Sequence, residues 1–166
     1  MRPNSSALIG QTIDGYVILK EIGSGATSVV YQAMEPQADN RLLALKVLDH
    51  AERELQGGVS ATNPFLREYN IARRFRDPGI LRIFGAGELH DGRFYQAMEL
   101  AEGMSLADEM MHREVIPWRE ACEIAEAISW SLSPLHEQGV VHRDVTPRNV
   151  MLRLGKDKRL HTKLID

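Results

Sequence analysis

The sequence has few of the features that mark secreted, membrane or nucleic-acid-binding proteins. It has one cysteine, Cys122, which excludes a disulfide framework and argues against a zinc site. No apolar run approaches the length of a membrane span, and the N-terminus lacks the apolar stretch of a signal peptide. The net charge of −3 provides no basic field for nucleic acid. These absences favour a cytoplasmic protein with no membrane segment in this chain, and they leave open an anchor after Asp166.

The size and the order of patterns predict one domain of two parts. Its 166 residues suffice for one compact domain, and 43% hydrophobic with 26% charged residues is typical of a globular chain. Strand patterns come first and helix patterns follow, which predicts an α+β architecture. We expect about 12–101 to form the first part and about 104–166 the second, with the seam near Glu99 to Gly103.

The first part predicts an antiparallel sheet of five strands with one helix. The helix begins at Pro64, after the N-cap Asn63, and ends near Phe75, before a Pro-Gly break. Asp91-Gly92 is typical of a hairpin turn between the last two strands. The five strand-like runs are Tyr16–Ile22, Ser28–Met34, Leu42–Leu48, Ile80–Ala86 and Phe94–Leu100.

The second part predicts helices followed by a hairpin. A short helix covers about Leu106–His112, and a longer one begins after Pro117 with apolar residues at helical spacing. We expect Cys122, on this longer helix, to be a small core residue, and we expect Trp118 and Trp130 to serve in packing rather than in ligand contacts.

A glycine-bearing turn joins the first two strands. It reads Gly23-Ser24-Gly25-Ala26-Thr27-Ser28, and backbone amides in such a turn can cover phosphates. A flexible hairpin explains the same residues equally well when they are taken alone. A strand rather than a helix follows the glycines, which argues against a dinucleotide-binding motif.

A lysine on the third strand has a candidate partner on the helix. Alternation puts Lys46 and Ala44 on the face opposite Leu45. Glu68 lies on the apolar stripe of the predicted helix, where an acid is unusual unless it is paired. The pattern therefore favours a Lys46–Glu68 pair, and an exposed lysine with a marginal glutamate is the alternative.

The most informative segment is the loop after the long helix. It reads Val140-Val141-His142-Arg143-Asp144-Val145-Thr146-Pro147-Arg148-Asn149, and apolar residues follow. Asp144 can accept a hydroxyl proton, and the amide oxygen of Asn149 can bind a metal. Because both lie on one loop between short strands, they can point into one site.

Taken in order, these motifs resemble the eukaryotic-type protein kinase family, and most closely its bacterial serine/threonine members. The resemblance covers residues from about 12 to the end of the chain. It implies a kinase-like fold, with a five-stranded N-lobe carrying one helix and the first part of a helical C-lobe. It also implies ATP and Mg²⁺ as cofactors and a protein as the substrate.

The resemblance implies a role for each matching residue. The implied catalytic residues are Asp144 as the base, with Lys46 on the phosphates and Glu68 as the partner of that lysine. Asn149 and Asp166 are the implied Mg²⁺ ligands. The implied nucleotide-binding residues besides Lys46 are Gly23, Ser24, Gly25, Val30, Ala44, Met98, Glu99, Ala101 and Met151.

The sequence departs from the family pattern two residues after the catalytic aspartate. Serine/threonine kinases usually have a lysine there, and this chain has Thr146. Arg148, four residues after the aspartate, matches an arginine found in many tyrosine kinases. We expect Arg148 to supply the missing cation. A serine or threonine acceptor is favoured, and tyrosine remains an alternative.

Asp166 matches the aspartate of the family's Asp-Phe-Gly motif, and the chain has no residues after it. We therefore expect an incomplete kinase domain that by itself transfers little phosphate. The other hypotheses are an ATP-binding, pseudokinase-like module, an inactive fragment, and a small-molecule kinase such as an aminoglycoside phosphotransferase. Mg·ATP binding without transfer separates the first from an active kinase, and a panel of acceptors tests the last.

Overall fold

The computed structural model describes residues 8–25, 27–48, 69–157 and 159–165. They fall into two compact units. The first takes its described residues from Met1–Arg74 and Ile83–Leu100. The second takes them from Phe75–Arg82 and Ala101–Asp166, so a short stretch before Ile83 belongs to the second unit.

An antiparallel sheet of six strands forms the first unit, in the order β1-β2-β3-β4-β6-β5. The expected antiparallel sheet is thus confirmed. The sixth strand is the two-residue β1, which pairs with β2 across a turn at Asp14 and Gly15, both with positive φ. The strands are β1 (Thr12–Ile13), β2 (Tyr16–Ser24), β3 (Ser28–Glu35), β4 (Arg41–Leu48), β5 (Ile83–Glu88) and β6 (Phe94–Glu99).

The core of the first unit lies on one face of this sheet. Apolar side chains at alternate strand positions point to the same face, so β3, β4 and β6 contribute a continuous apolar layer. Leu8 and Ile13 pack against the same layer. Tyr95 is also buried there and donates its hydroxyl hydrogen bond to Asp14; burial, with that bond, raises the pKa of Tyr95 above its ordinary value. The core residues from the three strands are Tyr31, Ala33, Leu43, Leu45, Val47, Tyr95 and Ala97.

The second unit combines two helices with a small antiparallel sheet of order β7-β8-β9. Its core contains Ile124 from the long helix and Val150, Leu152 and Leu164 from the sheet. The backbone of Leu164 also bonds to residues 79–81, which brings this early segment to the sheet. The elements are β7 (Met104–Ser105), α1 (Leu106–His112), α2 (Trp118–Glu137), β8 (Val150–Leu154) and β9 (Leu160–Leu164).

The two helices of the second unit have distinct stabilising contacts. Ser105 caps α1, because its hydroxyl accepts from the backbone N–H of Asp108 at 3.0 Å. Arg113 follows α1 and donates to both carboxylate oxygens of Glu120 in α2, at 2.7 and 2.8 Å. Arg113 also donates to Glu109 at 3.0 Å, so one guanidinium joins the end of α1 to the start of α2.

The predicted helix of the first part falls largely outside the described residues. Residues 69–72 are helical, and the chain leaves the helix at Arg73, slightly before the expected end. The predicted turn between the last two strands of the sheet is present, because Gly92 has a φ of 83° and donates to the carbonyl of Leu89. No helix in the described part of the chain is long and apolar enough to cross a membrane.

Three packing predictions for α2 were wrong. Cys122 is exposed, and Trp118 and Trp130 are each 71% exposed. The helix buries Ile124 and, seven residues on, Ser131. Cys122 precedes Ile124 by two positions, about 200° around the helix, and therefore lies on the other side.

Candidate active site

The glycine turn of the first unit has space around its backbone. The N–H of Gly25 donates to the carbonyl of Ser28 at 2.8 Å, which closes the turn after β2. Among the described residues, a Cβ added to Gly23 would meet no atom within 4 Å, and one added to Gly25 would meet Ser28 at no less than 3.7 Å. Neither glycine has a positive φ. Packing against the described residues therefore does not require these glycines, whereas close approach of a ligand to the backbone would.

Four predicted nucleotide-binding residues share one face of the first sheet. Lys46 in β4 lies opposite Val30 in β3 and Gln96 in β6, and residues directly opposite in a sheet share a face. Two positions earlier, Ala44 lies opposite Met98, and both are buried. This is the face away from the Leu45 layer, so alternation along β4 separates the apolar core from the candidate ligand surface.

Lys46 is half-buried on this face, and Gln96 is its neighbour on β6. No sequence motif marks Gln96, because a lone glutamine carries no functional pattern. Its position could have been found only from the register between β4 and β6. Glu68 lies outside the described residues, so its pairing with Lys46 stays a prediction.

The remaining predicted nucleotide contacts lie at the end of β2, near the end of β6 and in the second unit. Glu99 is the last residue of β6 and Ala101 follows two residues later; both are half-buried. Ser24 ends β2 and is exposed. Met151 is half-buried in β8, opposite Ser105 and Lys163.

In the second unit, Asp144 and Asn149 are in direct contact. The side-chain nitrogen of Asn149 donates to the carboxylate of Asp144 at 2.7 Å and to its backbone carbonyl at 3.1 Å. The backbone N–H of Asn149 donates to Thr146 at 2.9 Å, and its carbonyl accepts from Ile165 at 2.9 Å. A 3-10 turn, Pro147–Asn149, holds this arrangement at the start of β8.

These bonds determine what the two side chains can bind. Both side-chain bonds of Asn149 use the amide nitrogen, and no donor among the described residues bonds to its amide oxygen. That oxygen is a hard ligand of the kind that Mg²⁺ prefers. Asp144 is exposed, so its carboxylate is open to a hydroxyl group.

The backbone before Asp144 adopts an uncommon conformation. Arg143 has a φ of 69°, in the left-handed region that non-glycine residues seldom adopt. Beside it, Nδ1 of His142 is buried and has no hydrogen-bond partner among the described residues. Such features concentrate at functional sites, where the surrounding structure maintains them.

The other predicted charged residues of this site are less constrained. Arg148 is exposed within the 3-10 turn, and the structure assigns its guanidinium no partner in the described part of the chain. Asp166 lies outside the described residues, although its neighbour Ile165 bonds to Asn149. The described residues contain no group of three or more His, Cys, Asp or Glu able to hold a metal. Asn149 and Asp166 therefore stay predicted Mg²⁺ ligands.

An antiparallel sheet with a glycine turn and a lysine, combined with an Asp–Asn loop in a helical unit, defines a protein of the kinase class. The sequence matches the profile of the Protein kinase domain over residues 16–166. The chain therefore belongs to the protein kinase family.

Relatives of about one-third sequence identity are bacterial serine/threonine kinases. Serine/threonine-protein kinase PknI of Mycobacterium tuberculosis is 33% identical over 145 residues, which are 86% of this chain and 24% of the relative. Serine/threonine-protein kinase PrkC of Bacillus subtilis is 34% identical over 148 residues, which are 87% and 22%. The chain thus spans about a quarter of the length of these relatives.

Solved kinase domains have the same fold. The crystal structure of the M. tuberculosis PknI kinase domain superimposes with a TM-score of 0.79 at 31% identity, covering 95% of this chain and 61% of that one. A structure of Rad53 in complex with AMP-PNP gives a TM-score of 0.77 at 22% identity, which supports the fold alone.

Proposed function

We propose that this chain is part of an Mg·ATP-dependent protein kinase that phosphorylates serine or threonine hydroxyls of a protein substrate. The observation that carries the proposal is the pair of bonds from the Asn149 amide nitrogen to Asp144. They hold an exposed carboxylate beside an amide oxygen that remains available to a cation. Base and metal ligand in contact on one loop are what phosphoryl transfer to a hydroxyl needs.

The first unit would bind the nucleotide. Val30, Ala44 and Met98 present an apolar surface suited to adenine, and Lys46 lies on the same face as a cation for phosphate oxygens. The open space beside Gly23 and Gly25 allows their backbone to approach phosphates closely. In this proposal Glu68 pairs with Lys46, while Glu99 and Ala101 offer backbone groups to the adenine edge.

The second unit would carry the chemistry. When bound, Mg·ATP supplies the transferable phosphoryl group and neutralises its charge. Asp144 orients the acceptor hydroxyl and takes its proton, and the bonds from Asn149 keep this carboxylate in one orientation. Asn149 and Asp166 would hold the metal, Met151 would lie against the adenine, and Arg148 would offer a cation to the transferring group. A cytoplasmic location, where ATP is available, is part of the proposal.

The test compares the product of the complete reading frame with single variants. Incubation with γ-labelled ATP, Mg²⁺ and a general acceptor protein should label phosphoserine or phosphothreonine. Asp144→Asn should reduce the initial rate by at least about 100-fold, because the base is lost. The matched control is Asp39→Asn, an exposed turn residue with a φ of 56° that asparagine also tolerates.

The outcomes separate the alternatives. Transfer to small-molecule alcohols but not to proteins would indicate a small-molecule kinase, and labelled tyrosine would change the acceptor class. Saturable Mg·ATP binding without transfer to any acceptor would indicate a nucleotide-binding module. An Asp144→Asn variant with wild-type turnover would remove the basis of the assignment.

A further inference from the structure

The hairpin formed by β8 and β9 is a positively charged segment of an acidic chain. Residues 153–163 contain five of the chain's 20 lysine and arginine residues and one acidic residue, Asp157. This segment therefore has a formal charge of +4, although the whole chain has −3 and the rest consequently −7. Such a local contrast attracts an anionic partner even on an acidic protein, because solvent ions screen charges beyond about 8 Å.

The single carboxylate of the hairpin is occupied within the turn. Oδ1 of Asp157 accepts from the backbone N–H of Arg159 at 3.1 Å and lies 3.3 Å from Nε2 of His161. The Arg159 bond, followed by the His161 contact, lowers the pKa of Asp157. A backbone hydrogen bond closes the same turn, because the N–H of Gly155 donates to the carbonyl of Arg159 at 2.8 Å. Lys156 and Arg159 are exposed, and neither has an ion pair in the described ranges.

Among the described residues, the outer edge of the same hairpin is only partly paired. β9 is the outer strand of its sheet, and on the outer side Leu164 donates to Gly79 at 2.7 Å and accepts from Leu81 at 2.8 Å. Alternate residues of a strand present their N–H and C=O to the same edge. Thr162 and Leu160 therefore face this edge too, where no described backbone group pairs with them.

We propose that the outer edge of β9 binds an extended acidic segment of a partner protein as an added strand. Backbone bonds to Thr162 and Leu160 would align the segment, as in other cases of strand addition. Its carboxylates would lie near Lys156 and Arg159, since Arg153 already pairs with Glu102 at 3.2 Å and His161 lies 3.3 Å from Asp157. The strand edge favours a protein partner over a lipid bilayer. An anionic bilayer would attract the positive residues of the hairpin, but it has no row of N–H and C=O groups to pair with the edge.

The test measures peptide binding and is independent of phosphoryl transfer. The probe is a fluorescein-labelled, acetylated nonapeptide of alternating Glu and Val, titrated with the 166-residue chain in a fluorescence anisotropy assay. Saturable binding that weakens with salt is expected. The double variant Lys156→Glu/Arg159→Glu should weaken peptide binding about tenfold, which is the effect expected from reversing two surface charges. Lys20→Glu/Arg119→Glu, which reverses two exposed charges outside the hairpin, should change the affinity less than twofold.

Peptide backbone methylation separates strand addition from charge attraction. Two further peptides have the same side chains. In one, the backbone nitrogen of every Glu is methylated, and in the other, that of every Val. A strand pairs through one edge, so one of the two should lose binding and the other should retain it. Equal binding by both would overturn strand addition. Binding of phosphatidylserine vesicles without peptide binding would assign the hairpin to a membrane surface, and no binding to either would leave only a solvated charged turn.

Discussion

The side-chain amide nitrogen of Asn149 lies 2.7 Å from the carboxylate of Asp144 and donates a hydrogen bond to it. One side chain thereby contacts the proposed base through its nitrogen, while no described donor bonds to its oxygen. In the proposed mechanism, this contact would couple proton transfer at Asp144 to metal binding at Asn149. Replacing Asn149 should therefore change the kinetics in a different way from replacing Asp144.

We expect Asn149→Ala and Asp144→Asn both to lower phosphoryl transfer by at least about 100-fold, but only the first to shift the Mg²⁺ requirement. Asn149→Ala removes the proposed metal ligand together with the bond to Asp144. Asp144→Asn removes the proposed base and leaves the Asn149 oxygen in place. The measurement is the initial rate as a function of Mg²⁺ concentration at saturating ATP. An unchanged Mg²⁺ midpoint in Asn149→Ala would show that this oxygen does not bind the metal.

Arg148 should affect the chemical step more than nucleotide binding. It is exposed beside Asn149, and its guanidinium has no partner in the part of the chain that the structure describes. A cation that acts on charge developing during transfer lowers the barrier without strengthening ground-state binding. Arg148→Ala should therefore reduce kcat about 10- to 100-fold and change the ATP Kd less than about threefold.

A second variant tests whether the family's missing lysine explains this role. Thr146→Lys in the Arg148→Ala background returns a cation to the position that serine/threonine kinases usually fill. Partial recovery of kcat is expected, and Thr146→Gln is the control of similar length without charge. If Arg148→Ala turns over like the wild type, the arginine is only a surface charge.

Local sequence patterns predicted the parts of this fold that repeat along the chain. Alternation in β4 separated Lys46 from Leu45, as the register with β3 now shows. The Asp91-Gly92 signal predicted the turn before β6 because glycine adopts positive φ without steric cost. These features depend on near neighbours, so a single sequence contains the necessary information.

Features that depend on distant residues could not be predicted in the same way. Leu164 pairs with Ile80, and no local pattern relates two residues so far apart. Helical spacing of apolar residues on α2 groups Ala125 with Ile124, yet Ala125 is exposed, because the spacing alone does not reveal which face a neighbouring sheet will cover. The left-handed conformation of Arg143 likewise results from the surrounding loop rather than from the preference of an arginine.

Gly103 should tolerate no side chain. Its φ is 102°, and an added Cβ would lie 1.9 Å from the backbone carbonyl oxygen of Leu152. Gly103→Ala should lower the free energy of unfolding by about 3 kcal/mol or more, because it combines an unfavourable φ with a clash against backbone. Gly139 is the matched control: its φ is 72°, but no atom of the described residues lies within 4 Å of an added Cβ. Gly139→Ala should cost about 1 kcal/mol, and equal losses in urea denaturation would contradict the predicted clash.

The ion pair between Arg113 and Glu120 should make a pH-dependent contribution to stability. Hydrogen bonds from Arg113 lower the pKa of Glu120 below its ordinary value of 4.5. The folded protein therefore favours the charged carboxylate, and this stabilisation is present above pH 4.5 and lost as the pH falls through the lowered pKa.

Glu120→Gln should lower the Tm by roughly 2–4 °C at pH 7, since the pair is bidentate but partly exposed. The difference from the wild type should close below the lowered pKa, while Glu114→Gln, an exposed glutamate without a described partner, should match the wild type at both pH values. A Tm difference for Glu120→Gln that persists unchanged in acid would mean that side-chain packing, rather than charge, joins α1 to α2.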